Sequence, residues 1–543
     1  MIFEDGVIRT PDLKFDEKCG GIGKVLFECC KKYHNRIAVI NTVTEEWDTY
    51  SDLLGKCMAT ASALRKRGLQ PQNIIALCSN KENINASIPL IAAQFLGCIS
   101  FSVDPCHTVE ECAEFFEQVP PKIVFTTAQS KDVISRALKR VGIDVEVIVF
   151  GEQFKKEFLE NQEQFLPIDI KDLSTTSMIH FSSGSTGTPK AICLSHYYLL
   201  ALQYCHGFGA MAVGPNHYQL KNHPLGSVSL KYTNWYWVSS TMDLIINISV
   251  GGCRLLRDQF DPQEFWRSTD KYRVTDVFLM PLQCVNLSES VKPENLDVSS
   301  LLRITTGSYI LHTDFIYKLR DIIPNVIISQ LYGMTECGEV TSFNPYITKS
   351  KELLSLKPNS CGNPVDGLYY KVIDVETGKK CGPNQQGELH LKGTKMFRCF
   401  FNKDASVSFD EEGFFKSGDL VYFDEDFCFY ILDRIKNVLR WNDRFVFLYH
   451  VERVLLSHPA VNNAIVIGIP HKREGERMMG VVQLKEDADV VTEEELINYA
   501  NQRLEDHKRL REGVTFVKNF PTTITGKVNR LKLKQMILQN LKI

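Results

Sequence analysis

Between Asn73 and Val149, short runs of β-branched and apolar residues alternate with stretches of helical periodicity. Asn73–Cys78 reads as a buried strand, Ile84–Leu96 as a helix stopped by Gly97, and Ile99–Val103 as a strand. Val109–Gln118 reads as a second helix, and Lys122–Thr126 and Val145–Phe150 as further strands. Such alternation predicts a doubly wound sheet with helices on both faces and ligands at the carboxyl ends of its strands. A second run follows the same pattern, with strands over Ile245–Val250, Val274–Met280, Leu302–Thr305 and Val326–Gln330. Helical stretches at Pro262–Thr269 and Thr313–Asp321 lie between them. After Ser360 the texture changes to short strands such as Gly367–Val375 and Gly387–Leu391, separated by the turns at Thr377-Gly378 and Gly382-Pro383-Asn384. From about Arg434 a last unit appears, with helix Val451–Ser457, strand Ala464–Ile469, helix Thr492–Arg503 and a basic tail.

The expected fold class is therefore α/β. Residues 1–433 form a large N-terminal domain of two doubly wound α/β layers plus a β-rich subdomain at about 360–433, and residues 434–543 form a small α+β C-terminal domain. The length of 543 residues fits this division, because one hydrophobic core stops growing well below it. With 44% hydrophobic and 23% charged residues, the composition is that of an ordinary soluble protein. The formal charge of −3 gives no general attraction to nucleic acid or anionic lipid. Seventeen scattered cysteines, without a repeated Cys-x-x-Cys spacing, read as reduced thiols in an intracellular compartment. The first residues show no basic segment followed by an apolar run, and no uninterrupted apolar stretch reaches spanning length, the stretch around Leu244–Val250 being short and carrying Asn247 and Ser249. No membrane span is expected. The ending Asn540-Leu541-Lys542-Ile543 is not a Ser-Lys-Leu-type peroxisomal address, so a cytoplasmic location is expected.

The chemistry-bearing stretch is Ser182-Ser183-Gly184-Ser185-Thr186-Gly187-Thr188-Pro189-Lys190, placed between two apolar runs. Glycines let backbone N–H groups converge on an anion, hydroxyls donate further hydrogen bonds, and Lys190 adds a compact positive charge. One reading is a phosphate cradle; the other is a flexible Ser/Gly-rich surface loop. It is not the P-loop of mononucleotide ATPases, which needs Ser or Thr directly after the lysine, where this chain has Ala191.

Three further stretches follow in order: Tyr332-Gly333-Met334-Thr335-Glu336 after a strand, Ser417-Gly418-Asp419 ahead of Asp433-Arg434-Ile435-Lys436, and Thr525-Gly526-Lys527 near the end. Together with the loop they resemble the adenylate-forming (ANL) superfamily of acyl-CoA synthetases, 4-coumarate-CoA ligases, beetle luciferases and peptide-synthetase adenylation domains. The resemblance spans nearly the whole chain and is strongest to the insect luciferase and acyl-CoA synthetase branch.

That resemblance implies a reaction in which a carboxylate attacks the α-phosphorus of ATP, expels pyrophosphate and leaves an acyl adenylate. It implies that Ser182, Ser183, Gly184, Ser185, Thr186, Gly187 and Lys190 hold the ATP phosphates, and that Tyr332 and Gly333 border the adenine. Thr335 would bond a phosphate and Glu336 would hold Mg2+. Asp419 would take both ribose hydroxyls, Arg434 would lie beside ribose and phosphate, and Lys527 would bridge the attacking carboxylate and the α-phosphate. Asp433 falls at the family's hinge, about which the small mobile C-terminal domain turns so that CoA reaches the acyl carbonyl. Implied partners are a carboxylic acid, ATP and CoA, with no nucleic acid.

The chain also departs from the family pattern. Past the hinge, Asn442 stands for a lysine, Asp443 for a glycine, Leu448 for a proline and His450 for one of two glutamates, Glu452 being the other. A side chain at Asp443 crowds a path along which relatives offer a glycine backbone. Tyr232-Thr233-Asn234-Trp235-Tyr236 replaces a His-His-Gly-Phe-like stretch that lines the acyl pocket, Gly307-Ser308-Tyr309 stands where relatives are smaller, and Cys399 replaces a glycine. Three functions follow as alternatives: an acyl-CoA ligase acting on a fatty or aryl acid, a luciferase-like monooxygenase of an adenylated luciferin, and a divergent paralogue that adenylates or binds without making thioesters.

Overall fold

A computed structural model of the chain describes all residues except 14, 15, 17, 161–164, 183–188, 203–225, 345–346, 436–437, 442–443, 472–474, 486–490, 523–527 and 542–543. Two seven-stranded sheets carry the α/β part. The first runs Cys399–Phe400, Lys190–Ser195, Thr176–Ser182, Ile99–Val103, Ile74–Cys78, Ile123–Thr126, Glu146–Val149 from edge to edge. The second runs Ile327–Gln330, Arg303–Thr306, Asp276–Leu279, Val228–Lys231, Cys253–Leu256, Ile37–Asn41, Trp47–Thr49. In the first, Ile74–Cys78 lies in parallel between Ile99–Val103 and Ile123–Thr126. In the second, Val228–Lys231 lies in parallel between Cys253–Leu256 and Asp276–Leu279. The chain leaves each of these central strands in opposite directions in turn, which makes the carboxyl ends of both topological switch points, the places where such sheets hold ligands.

Local chemistry sets the helix limits. Thr108 and Glu111 form a capping box ahead of Val109–Gln118, and Thr492 and Glu495 do so ahead of Glu493–Asn501. The helix of residues 87–96 ends on left-handed Gly97, as its sequence predicts, although it begins at Ser87 and not at Ile84.

One expected element is wrong in kind. Ile245–Val250 is not a strand but the second half of a helix, Val238–Val250, and the strand is the next segment, Cys253–Leu256. A short apolar run cannot by itself separate a buried strand from a buried helix. Here Asn247 donates to the Asp243 carbonyl one turn earlier, and Gly251 closes the helix in the left-handed conformation. A further helix, Pro281–Glu289, has no counterpart in the expected elements.

The β-rich unit is a six-stranded antiparallel sheet, Ile2–Glu4, Val7–Arg9, Leu368–Ile373, Gly387–Gly393, Phe415–Phe423 and Phe429–Arg434. Its first two strands come from the start of the chain, far from the stretch where the turn pattern placed it. A separate five-stranded sheet gathers Val438–Trp441, Arg444–Phe447, Val461–His471, Gly475–Leu484 and Val514–Phe516, with a core that includes Val451, Val466, Val482 and Leu496. Among the described residues no helix is long and apolar enough to cross a membrane.

Candidate functional site

The hydroxyl-rich loop joins two antiparallel strands, with Ser182 ending one and Lys190 opening the other in direct register. Both termini of the loop are thus fixed at one place. The Lys190 Nζ stands 4.9 Å from the centroid of Phe400, on the neighbouring edge strand. Ser183, Gly184, Ser185, Thr186 and Gly187 lie outside the described residues, as does Lys527.

Tyr332–Met334 and Gly338–Ser342 form a hairpin whose connection carries Thr335 and Glu336. The strands approach so closely that a Cβ on Gly333 would come within 2.6 Å of the Gly338 carbonyl oxygen, which requires glycine there. The connection is tied from outside: the buried Tyr198 hydroxyl donates to the Thr335 carbonyl at 3.1 Å, and the Phe397 N–H donates to the Glu336 carbonyl at 2.5 Å. Burial pushes the Glu336 carboxyl above its ordinary range, against the pull of Arg434 and Lys190.

The structure brings Tyr332, Asp419 and Arg434 together. Asp419 on Phe415–Phe423 and Arg434 on Phe429–Arg434 are register partners, and their ion pair spans 2.6 Å from Nε to Oδ1. The Tyr332 hydroxyl donates to the other oxygen, Oδ2, at 2.5 Å. Burial and the adjacent Asp419 charge both hold the phenol well above its usual pKa. Asp433 is the penultimate residue of its strand, and its carboxylate accepts the Arg434 N–H at 2.7 Å.

Two supporting residues were missed. Glu388 accepts the Gly418 N–H at 3.0 Å and so fixes the turn that delivers Asp419, while its other oxygen lies 3.2 Å from His390 Nε2. Gly387-Glu388-Leu389 reads in sequence as a strand start that matches a family motif, and nothing local says that its carboxylate reaches across the sheet. Tyr198 gives no signal either, since an aromatic residue in a short apolar helix reads as core.

In the C-terminal part of the chain, Glu452 accepts from both terminal guanidinium nitrogens of Arg530, at 2.6 and 2.9 Å, and from the Val466 N–H at 2.7 Å. Arg530 follows Lys527 by three residues, and Asn529 is held in turn by its N–H to the Pro521 carbonyl at 2.7 Å. Burial, with Lys508 and Arg453 nearby, pushes the His450 imidazole down to about 4.

The model of the AMP-binding enzyme family matches residues 26–401, and that of the AMP-binding enzyme C-terminal domain matches residues 450–527. A luciferin 4-monooxygenase of Luciola mingrelica is 28% identical over 98% of both chains. A probable 4-coumarate--CoA ligase of Dictyostelium discoideum is 28% identical over 85% of both. Among solved structures, the luciferase-like enzyme of the nonluminescent mealworm Zophobas morio superposes with a TM-score of 0.73 at 29% identity, covering 79% of this chain and 99% of that one. ATP-bound MatB of Rhodopseudomonas palustris shares the fold, with a TM-score of 0.82 at 22% identity over 95% of this chain and 99% of that one. With the Asp419, Arg434 and Tyr332 cluster beside the Thr335-Glu336 hairpin, these matches establish that the chain belongs to the AMP-binding, adenylate-forming superfamily, in its luciferase-like and 4-coumarate-CoA ligase-like branch.

Proposed function

We propose that this chain activates a fatty or aryl carboxylic acid with ATP and passes the acyl group to CoA, forming a thioester and AMP. The observation that carries the reading is the convergence of Asp419, Arg434 and Tyr332 next to the half-buried Glu336. A carboxylate flanked by an arginine and a phenol suits a ribose, since an ionised carboxylate accepts from two hydroxyls at once. Lys190 and the hydroxyl-rich loop neutralise the phosphates, so that one anion can approach another. In the first step a carboxylate oxygen of the acid forms a bond to the α-phosphorus and the bond to pyrophosphate breaks. Lys527 stabilises the charge on both partners at that point. In the second, the CoA sulfur bonds to the acyl carbon and AMP leaves.

Glu336 is the residue that would hold Mg2+. It takes no ion-pair partner among the described residues and is half-buried, a charge that an oxygen-seeking cation would offset. The ion supplies charge neutralisation on the phosphates. We assign residues 1–433 and 434–543 as the two domains and Asp433 as the hinge between the two half-reactions, and we place the protein inside the cell. The likeness to luciferin 4-monooxygenase supports a second reading, oxygenation of an adenylated luciferin. Asn442 and Asp443 support a third, adenylation without thioester formation.

The test is acid-dependent exchange of pyrophosphate into ATP over a panel of fatty and aryl acids, with AMP release followed with and without CoA. A parallel assay counts photons with luciferin, ATP and oxygen. Exchange with CoA-stimulated AMP release is the expected result. Light output would favour the second reading, and exchange without acyl-CoA the third. ATP binding without exchange for any acid would remove adenylation altogether.

A further inference from the structure

One segment touches both Glu336 and Lys190. Between the strands Gly387–Gly393 and Phe415–Phe423 the chain passes through 394–401, where the Phe397 N–H holds the Glu336 carbonyl and the Phe400 ring lies against Lys190 Nζ. Little backbone fastens this segment to the first sheet. Cys399–Phe400 is an edge strand of two residues, antiparallel to Lys190–Ser195, with the Arg398 and Phe401 N–H groups donating to the Cys193 and Ala191 carbonyls at 2.8 and 2.9 Å.

In that pairing Cys399 is the register partner of Cys193. Paired residues of antiparallel strands hold their Cα atoms ~4.5–5.5 Å apart, inside the ~4.4–6.8 Å that a disulfide spans. The two side chains also pack together in one core, and burial first, then the adjoining Cys399 thiol, pushes the Cys193 thiol up to about 12, against the pull of Thr176 and Arg398. Exposure divides the pair: Cys193 is 1% exposed, whereas Cys399 is half-buried on the edge of the sheet, where a small solute reaches it. Cys78 and Cys112 also lie near each other, but both are buried. Cys399 stands where the family pattern has a glycine, so the pair belongs to this chain.

An accessible thiol with a second thiol held beside it has the parts of a reversible redox couple. We infer that Cys193 and Cys399 form a disulfide on exposure to peroxide, which ties the 394–401 segment to the strand that opens with Lys190. Hydrogen peroxide transfers one oxygen atom to the Cys399 sulfur, leaving a sulfenic acid and one water. The Cys193 sulfur then bonds to the Cys399 sulfur as the S–O bond breaks, and the hydroxyl departs as a second water with the Cys193 proton. Because burial keeps Cys193 protonated until that moment, closure is slow relative to attack by an exposed thiolate. Two thiols of a reductant reverse it by exchange. The effect on activity rests on the adenylation reading, in which Glu336 and Lys190 must adjust to Mg2+ and phosphate while the crosslink restrains the segment that touches both; the disulfide itself does not rest on it.

The test exposes the full chain to a hydrogen peroxide series, alkylates the remaining thiols and maps linked peptides by mass spectrometry without reduction. A peptide pair joined through Cys193 and Cys399, formed over minutes and lost on adding dithiothreitol, is expected. Acid-dependent exchange is expected to fall by about fivefold or more on oxidation, the lower end of a coupling between sites, and to recover with dithiothreitol. Cys399→Ser, which keeps the size of the side chain, is expected to lose both the crosslink and the peroxide sensitivity of exchange. Cys193→Ala is expected to leave Cys399 carrying added oxygen and no crosslink, and covers the case in which the serine variant fails to fold. No such linked peptide at any peroxide concentration below that which unfolds the chain would overturn the inference, as would Cys399 joined to a different cysteine. A crosslink that leaves exchange unchanged would overturn its effect on the site. If no acid supports exchange, the adenylation reading fails on its own, and the linked peptide still decides whether the pair closes.

Discussion

Asp419 and Arg434 face each other in register on adjacent antiparallel strands, joined at 2.6 Å, while Tyr332 occupies the second carboxylate oxygen. Both oxygens thus have fixed donors on the protein side, which orients the carboxylate before any nucleotide arrives. Asp419→Asn keeps the shape and removes the charge. It is expected to raise the KM for ATP by about 10- to 100-fold, the loss of one or two charge-assisted hydrogen bonds of ~1.5–3 kcal/mol, with little change in the KM for the acid. An unaltered KM for ATP in the exchange assay would take Asp419 out of the nucleotide site.

Glu336 makes a separable prediction because its carboxyl is held above the usual range, with burial as the leading cause. Without Mg2+ such a group gives up its proton above the ordinary carboxylate value of ~4.3, and a bound Mg2+ would pull that limb back down, so the acid limb of the exchange rate is expected to move to lower pH as Mg2+ is raised. Glu336→Gln is expected to lower exchange by about a hundredfold or more and to raise the Mg2+ concentration needed for half-maximal rate. Since glutamine does not titrate, that acid limb should also shift or vanish. A variant with the same limb and the same Mg2+ requirement would assign both to another group.

How much of this was legible in the sequence depends on the distance over which each signal acts. The strands around residues 74–149 and 274–330 were readable because burial on both faces leaves β-branched runs that need no partner to be recognised. Ile245–Val250 was misread because the helix that holds it is buried, so its run lacks a polar stripe, and the Asn247–Asp243 bond that betrays the helix is a side-chain contact. The motif residues were legible one by one, yet their convergence was not. That Tyr332 bonds Asp419, that Glu388 holds the Gly418 turn, and that Lys81 reaches Lys231 are contacts across 87, 30 and 150 positions of chain. No local pattern encodes them.

Acid sensitivity should originate at the strand Thr176–Ser182 and the helix that follows Ser195. His180 donates from Nδ1 to the Tyr236 carbonyl and bonds Thr241 through Nε2, and burial pushes it down to about 4; His196, also buried, is pushed to about 4 as well. The unfolded chain protonates both as pH falls through ~6.5, whereas the folded chain resists until about 4. Across that window the unfolded state binds more protons, so stability falls as pH falls, by up to ~1.4 kcal/mol per pH unit for each histidine. Urea unfolding at neutral and mildly acidic pH is expected to show this slope, and His180→Gln to remove one histidine's share. An equal slope in the variant would place the titration elsewhere.

Lys527 and the Arg530–Glu452 pair should separate chemistry from stability. Lys527→Ala is expected to depress exchange by about a hundredfold or more while leaving the unfolding midpoint close to wild type, because on the proposed reading its charge would serve the reacting phosphate and add little to the fold. Glu452→Ala strips Arg530 of a bidentate partner, and Val466 N–H of its acceptor, in a largely buried place. That change is expected to cost about 2–3 kcal/mol by denaturant unfolding, with a secondary loss of exchange. The reverse pattern, a destabilised Lys527→Ala and a stable Glu452→Ala, would assign the lysine a structural role.

On the proposed reading, the stretch from Arg440 to Glu452 governs the transfer to CoA. The family pattern that the motifs resemble has a lysine and a glycine where this chain has Asn442 and Asp443, both outside the described residues, and a glutamate where it has His450. With its pKa near 4, set mainly by burial, His450 is neutral at physiological pH, so that position loses the negative charge a glutamate would bring. If CoA approaches along this stretch, as the proposed reading has it, the charge and side chain of Asp443 would both oppose an anionic CoA. The double variant Asn442→Lys, Asp443→Gly is therefore expected to raise CoA-dependent AMP release by about tenfold or more, one charge interaction's worth, without altering exchange in the absence of CoA. An increase in both rates would mean that the substitutions act on the fold or on adenylation. No increase, in a wild type that already forms acyl-CoA efficiently, would mean that CoA reaches the acyl carbonyl by a path that avoids this face.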